Sequence, residues 1–138
     1  MLRRCAPRGG FWQGVTGAPL PGETDAEAAA REVREETGFD VTGRLFPLGS
    51  SYAYRLPSEL AARWEQLYGP CVETVSVVAF GAELPEGDPV LDPQEHDAFA
   101  WRAFEEADAL LKWPIEQDAL AGRREALRVL NAQLEGEE

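Results

Sequence analysis

Residues 17–39, GAPLPGETDAEAAAREVREETGF, join a Gly/Pro loop to a helix whose two ends are both written in the sequence. Thr24 is an N-cap residue and Glu27, three positions on, completes a capping box, so the helix begins at Asp25. Ala26, Ala29, Ala30 and Val33 supply small apolar contacts with good helix propensity. Gly38 stands where a left-handed residue ends a helix. On this helix Glu32, Glu35 and Glu36 fall at i, i+3 and i+4, so their carboxylates share one face, with Arg31 just before them. Like charges gathered in this way repel by several tenths of a kcal/mol per pair unless something neutralises them. Hard divalent cations prefer carboxylate oxygens, which makes the face a plausible metal platform. Taken alone, such a triplet reads more readily as a solvated acidic face, since Glu is common on exposed helices.

The surroundings narrow the choice. Gly17, Glu23, Arg31, Glu32, Val33, Glu35, Glu36, Gly38 and Phe39 fill every fixed position of the pattern G-x5-E-x7-R-E-U-x-E-E-x-G-U, where U is a bulky apolar residue. This resembles the Nudix hydrolase family. The resemblance implies an α/β (α+β) fold, an α/β/α sandwich with a mixed β-sheet, formed by one domain over residues 1–138. It implies one to three Mg²⁺ or Mn²⁺ ions held by Glu32, Glu35 and Glu36 with the backbone carbonyl of Gly17. Arg31 would orient the glutamates, and Glu23 would brace the loop or the helix start. The catalytic base is Glu32 or a glutamate from a later loop, which here means Glu95, also a candidate fourth metal ligand.

Composition sets outer limits. A chain of 138 residues with 44% hydrophobic residues has room for one core and not for two. A net charge of −12 argues against binding nucleic-acid backbones, which requires clustered Lys and Arg. Cys5 and Cys71 lack metal spacing and read as free thiols of a reducing compartment. No apolar run approaches the roughly 20 residues needed to span a bilayer. These features predict a cytoplasmic protein that binds neither membrane nor nucleic acid.

Working outward from the motif, the opening MLRRCAPRGG is basic and then flexible, and lines up with the end of a strand and a turn. The longer strand that precedes the motif in the family is shortened or missing here. Such a gap calls for residues upstream of Met1 or for a second copy of the chain, a homodimer, to fill it. FWQGVT, residues 11–16, reads as a short strand. It resembles the strand entering the motif in Nudix enzymes of the dihydroneopterin triphosphate and dATP pyrophosphohydrolase type. By that likeness Arg4, Trp12 and Gln13 are candidates for substrate contact, Trp12 by stacking on a ring or by packing in the core; Tyr54 is a further candidate, similar to a tyrosine at this distance beyond the motif in the family's diadenosine polyphosphate hydrolases.

Residues 41–48 and 51–56 read as strand, and 58–69 as a short helix or an ordered loop. Residues 72–84 form the clearest strand, apolar enough to be buried on both faces. PEGDPVLDPQ, residues 85–94, is a loop by its chemistry. Glu95-His96 then leads into a short strand ending at Trp101; in the subgroup such a pair stands beside the metal site. The lone histidine, His96, either bonds a phosphate or is simply exposed. A short helix follows at 105–111, and Pro114 opens a last helix to about Leu134 before the acidic tail 135–138.

The leading function from sequence is cleavage of a nucleoside or pterin triphosphate to monophosphate and pyrophosphate. The alternatives are hydrolysis of a dinucleoside polyphosphate, which Tyr54 favours, and a catalytically silent binding module of the same fold.

Overall fold

In a computed structural model, residues 1–55, 58–69 and 74–112 are described. The predicted helix from Pro114, Cys71 and the acidic tail lie outside the described residues.

Helix α1 spans Asp25–Thr37 and has the predicted ends. The Thr24 hydroxyl accepts from the Glu27 amide at 3.2 Å, while a Glu27 carboxylate oxygen accepts from the Thr24 amide at 2.8 Å. At the far end Gly38 adopts φ +77°, a region that costs side chains with a Cβ, and its N–H donates to Arg34 O. The helix buries Ala28, Glu36 and Thr37.

The segment after Met1 is a strand rather than a frayed start. Strand β1, Leu2–Arg4, lies between β2, Trp12–Gln13, and β5, His96–Phe99, and both pairings are antiparallel. Leu2 stands opposite Gln13 and Phe99, and Arg3 opposite Trp12 and Ala98. A register shift between Arg3 and Arg4 then sets Arg4 opposite His96. Directly opposed residues point to the same side of a sheet, and successive ones to opposite sides. Gln13, Arg4 and His96 therefore share one face and Trp12 and Arg3 the other.

A second sheet pairs β3, Leu45–Arg55, with β4, Thr74–Ala82, again antiparallel, with a register irregularity between Pro47 and Ser51. One parallel bridge joins Trp12 to Leu111. Helix α2 covers Ser58–Tyr68 and α3 covers Phe104–Leu110. The expectation that β4 is buried on both faces does not hold among the described residues. Its only ladder partner there is β3, and Val78 is 43% exposed. An apolar run alone does not distinguish a central strand from one with a wet face.

Among the described residues, Leu2, Cys5, Ala28, Val41, Ala107 and Leu111 are buried apolar side chains. Buried with them are Gln13, Glu36, Thr37 and His96. Buried polar side chains need a reason, because burial strips them of water. No helix among the described residues is long and apolar enough to cross a membrane.

Candidate functional site

Arg31 is the hub of the motif. Its Nε and Nη2 donate to the two oxygens of Glu23 at 2.8 and 3.0 Å, and Nη2 also donates to Ala18 O at 3.0 Å. Nη1 donates to Glu32 Oε1 at 2.7 Å and to Glu35 Oε2 at 3.3 Å. One planar guanidinium thus ties the Gly/Pro loop to the carboxylate face of α1, a task suited to the fixed fork of arginine. Glu23 is braced further by the Leu20 amide at 2.8 Å. These contacts hold the Glu23 carboxyl below the usual range, its hydrogen bond with Arg31 first among the causes. Gly17 is packed so tightly that an added Cβ would run into the Glu32 side chain.

The three glutamates share a face but not an environment. The Glu35 side chain is 58% exposed, Glu32 is mostly covered, and Glu36 is only 6% exposed. The expectation of an exposed acidic face is therefore corrected at Glu36. Its Oε2 is buried with no hydrogen-bond partner among the described residues. Burial first, then the charges of Glu32, Glu95 and Glu35, push its carboxyl up to about 8, with Arg4 pulling the other way.

Glu95 arrives from the far end of the chain. The turn at 92–96 is closed by Asp92 O, which accepts from the Glu95 and His96 amides at 3.0 and 2.9 Å, and by Asp92 Oδ1, which accepts from Gln94 N at 2.9 Å. The segment after β1 clamps it. Cys5 N donates to Glu95 O at 2.9 Å, Cys5 Sγ and Arg8 Nε donate to Gln94 O, and Arg8 Nη2 stands 3.7 Å from Glu95 Oε1. The result is a cavity of about 170 Å³ lined by Glu32, Glu35, Glu36, Asp92, Glu95 and His96.

His96 is not an exposed loop residue. It is 1% exposed, and its Nε2 lies 3.3 Å from the side-chain nitrogen of Gln13. Burial, followed by the charge of Arg4, lowers its pKa and so favours the neutral ring. Its Nδ1 and the Nε of Arg4 are buried without hydrogen-bond partners among the described residues.

The structure thus brings Glu32, Glu35, Glu36 and Glu95 to one cavity, with Gln13 and Arg4 on the adjoining sheet face. It does not bring Trp12 there. That ring points to the other face, under the Arg3 guanidinium at 5.8 Å, and Arg3 is itself held by Asp97 at 2.7 Å. Tyr54 pairs with Val75 through the β3–β4 ladder, and its side chain is outside the described residues. Asp92, Arg8 and the Gln13–His96 pair are additions that sequence reading missed. For Asp92 a signal existed, since Asp at the first position of D-P-Q-E marks a turn that carries it back beside Glu95.

A divalent cation fits this donor set. The lining offers five carboxylates, and one of their oxygens is buried without a partner in a field of negative charge. Among the described residues no three acidic, Cys or His side chains already converge on one point. A cation would compete with Arg31 for Glu32 and Glu35.

Residues 1–122 match the NUDIX domain family. The chain is 38% identical over 101 residues to an octanoyltransferase of Myxococcus xanthus, covering 73% of this chain and 25% of that protein. It is 33% identical over 108 residues to the dihydroneopterin triphosphate diphosphatase of Escherichia coli K12, covering 78% of this chain and 71% of that protein. Among solved structures, the E. coli dihydroneopterin triphosphate pyrophosphohydrolase aligns with a TM-score of 0.69 at 34% identity, over 87% of this chain and 80% of that one. A C. elegans Ap4A hydrolase shares the fold, with a TM-score of 0.66 at 21% identity over 92% of this chain and 84% of that one. Every fixed position of the motif is filled and the match runs through nearly all of the described residues: the chain belongs to the Nudix family.

Proposed function

We propose that this protein is a divalent-cation-dependent pyrophosphohydrolase that cleaves a nucleoside or pterin triphosphate to monophosphate and pyrophosphate, with Mg²⁺ or Mn²⁺ as the cation. The observation that carries the reading is Glu36, a buried carboxylate with an unpartnered oxygen facing a cavity of further carboxylates. As a structural element this arrangement is unfavourable; as a cation site it is complementary. The pterin class is supported by the identity to the E. coli dihydroneopterin triphosphate enzyme across most of both chains.

Hydrolysis of a phosphoanhydride needs an oriented water, a proton acceptor and neutralisation of charge on the phosphoryl oxygens. The bound cation would supply charge neutralisation and acidify water. Glu32, Glu35, Glu36 and Glu95 would hold it, together with the carbonyl of Gly17. Arg31 fixes the loop against the helix and sets the orientation of Glu32. Glu32 then takes the proton of the attacking water, with Glu95 across the cavity as the second carboxylate placed to do so. Gln13 also borders a smaller apolar cavity of about 100 Å³ lined in part by Val15, Phe39, Phe99 and Trp101. We assign the ring of the substrate to that side.

The test is a panel of canonical and oxidised nucleotides, dinucleoside polyphosphates, ADP-ribose and dihydroneopterin triphosphate, with products identified. EDTA is expected to abolish turnover and Mg²⁺ to restore it. Full activity in chelator would defeat the proposal, and release of orthophosphate alone would move the cleavage site.

A further inference from the structure

We propose that His96 is a substrate-binding residue whose Nδ1–H, fixed in that tautomer by Gln13, donates to a phosphate oxygen seated in the carboxylate cavity. The inference rests on the hydrolase reading above and adds a donor to it.

An amide nitrogen donates and does not accept. As the Gln13 amide is oriented, its nitrogen lies 3.3 Å from His96 Nε2, which makes that ring atom the acceptor and places the proton of a neutral imidazole on Nδ1. Nδ1 is buried and has no partner among the described residues. An unmet buried donor is destabilising, so a partner from outside the chain is the natural resolution. The ring borders the cavity, and the other five lining side chains, those of Glu32, Glu35, Glu36, Asp92 and Glu95, are all carboxylates. His96 is therefore the one lining side chain, among the described residues, that donates while its neighbours are ionised.

A polyphosphate is the complementary ligand. Its oxygens only accept, and next to five carboxylates they need both a cation and a donor. The two unpartnered atoms at the cavity divide these needs: Glu36 Oε2 suits the cation and His96 Nδ1 suits a phosphate oxygen. The register of β1 with β5, which sets His96 opposite Arg4, and the burial of Gln13 keep the ring from turning.

The chain has a single histidine, so its ring nitrogens are assigned without ambiguity in a ¹⁵N-labelled sample. Two-bond ¹H–¹⁵N correlation on the free protein is expected to show a neutral ring protonated at Nδ1. Titration with imidodiphosphate and Mg²⁺ is expected to shift the Nδ1 resonance, whereas sodium chloride at matched ionic strength leaves it in place. A ring protonated at Nε2 would overturn the proposal. So would an unmoved Nδ1 resonance at an imidodiphosphate concentration that calorimetry shows to be saturating.

Gln13→Glu offers an acceptor to Nε2 and pulls the proton there. It is expected to raise KM about tenfold with a smaller change in kcat, and to move the tautomer in the same spectrum. An altered tautomer with unchanged KM would also count against the proposal. Hydrolysis by a protein whose His96 ignores imidodiphosphate removes this inference and leaves the hydrolase reading. A chain that binds imidodiphosphate through His96 yet hydrolyses no anhydride removes that reading and leaves the binding site.

Discussion

Replacing Glu36 by glutamine separates what this side chain costs the fold from what it contributes to chemistry. Its carboxyl is raised from 4.5 to about 8, mainly by burial and then by repulsion from Glu32, Glu95 and Glu35. Each unit of such a shift is about 1.36 kcal/mol of discrimination against the ionised form. Water in the cavity screens part of it, so the penalty at alkaline pH is on the order of 2–4 kcal/mol. Between about pH 4.5 and 8 the folded protein retains a proton that the unfolded chain has lost, so stability falls as pH rises through that window. Below it the two states bind the same proton and the penalty vanishes. Above it the penalty is complete.

Urea unfolding of both proteins in EDTA checks this directly. Near pH 4.5 wild type and Glu36→Gln should differ by roughly 0.5 kcal/mol or less, and at pH 8.5 the variant should be more stable by about 2–4 kcal/mol. Saturating Mg²⁺ should then stabilise wild type more than the variant, because ligand binding to the folded state adds to its stability. Turnover should fall by about 10²–10⁴. A variant equal to or less stable than wild type at pH 8.5 in EDTA would refute the view that Glu36 is an uncompensated buried acid. Turnover within about threefold of wild type would remove it from the site.

Arg31→Ala removes the guanidinium shared by Glu23, Glu32 and Ala18 and leaves its acids unpaired; a loss of about 1–3 kcal/mol in urea unfolding is expected. Arg31→Lys should recover less than half of it, since a point charge cannot bridge the same set. Gly17→Ala drives a methyl group into the Glu32 side chain and should lower turnover at least ~10-fold with a stability change under about 1 kcal/mol; unchanged kinetics would free Glu32 from its packing role. Gly38→Ala, at φ +77°, should cost about 1 kcal/mol of stability and leave kcat unaltered, and a drop in kcat would mean that the helix end moves the glutamates.

What the sequence made legible was local. The ends of α1 are set by Thr24, Glu27 and Gly38, residues that act within four positions of their partners, and all three behave as their chemistry dictates. The spacing of Glu32, Glu35 and Glu36 likewise fixes a common face. It cannot fix depth, because depth depends on what is packed against the helix. Glu36 is buried and Glu35 exposed although they are neighbours in sequence. The same limit hid Trp12, whose side of the sheet follows from the pairing of β1 with β2 and from nothing in FWQ itself.

Distance along the chain explains what was missed. His96 looked uninformative as a lone histidine in a polar loop; its burial comes from a strand pairing with residues more than 90 positions earlier. That pairing also joins the two halves of the site. β1 carries Arg4 to one side of β5, Cys5 and Arg8 secure the turn that presents Asp92 and Glu95, and α1 supplies the remaining acids. A three-residue strand paired with β5 therefore anchors the turn that presents Asp92 and Glu95. Changes in β1 that leave every carboxylate in place should still move Glu95 relative to Glu36, and with it the charge balance on which the proposed cation site depends.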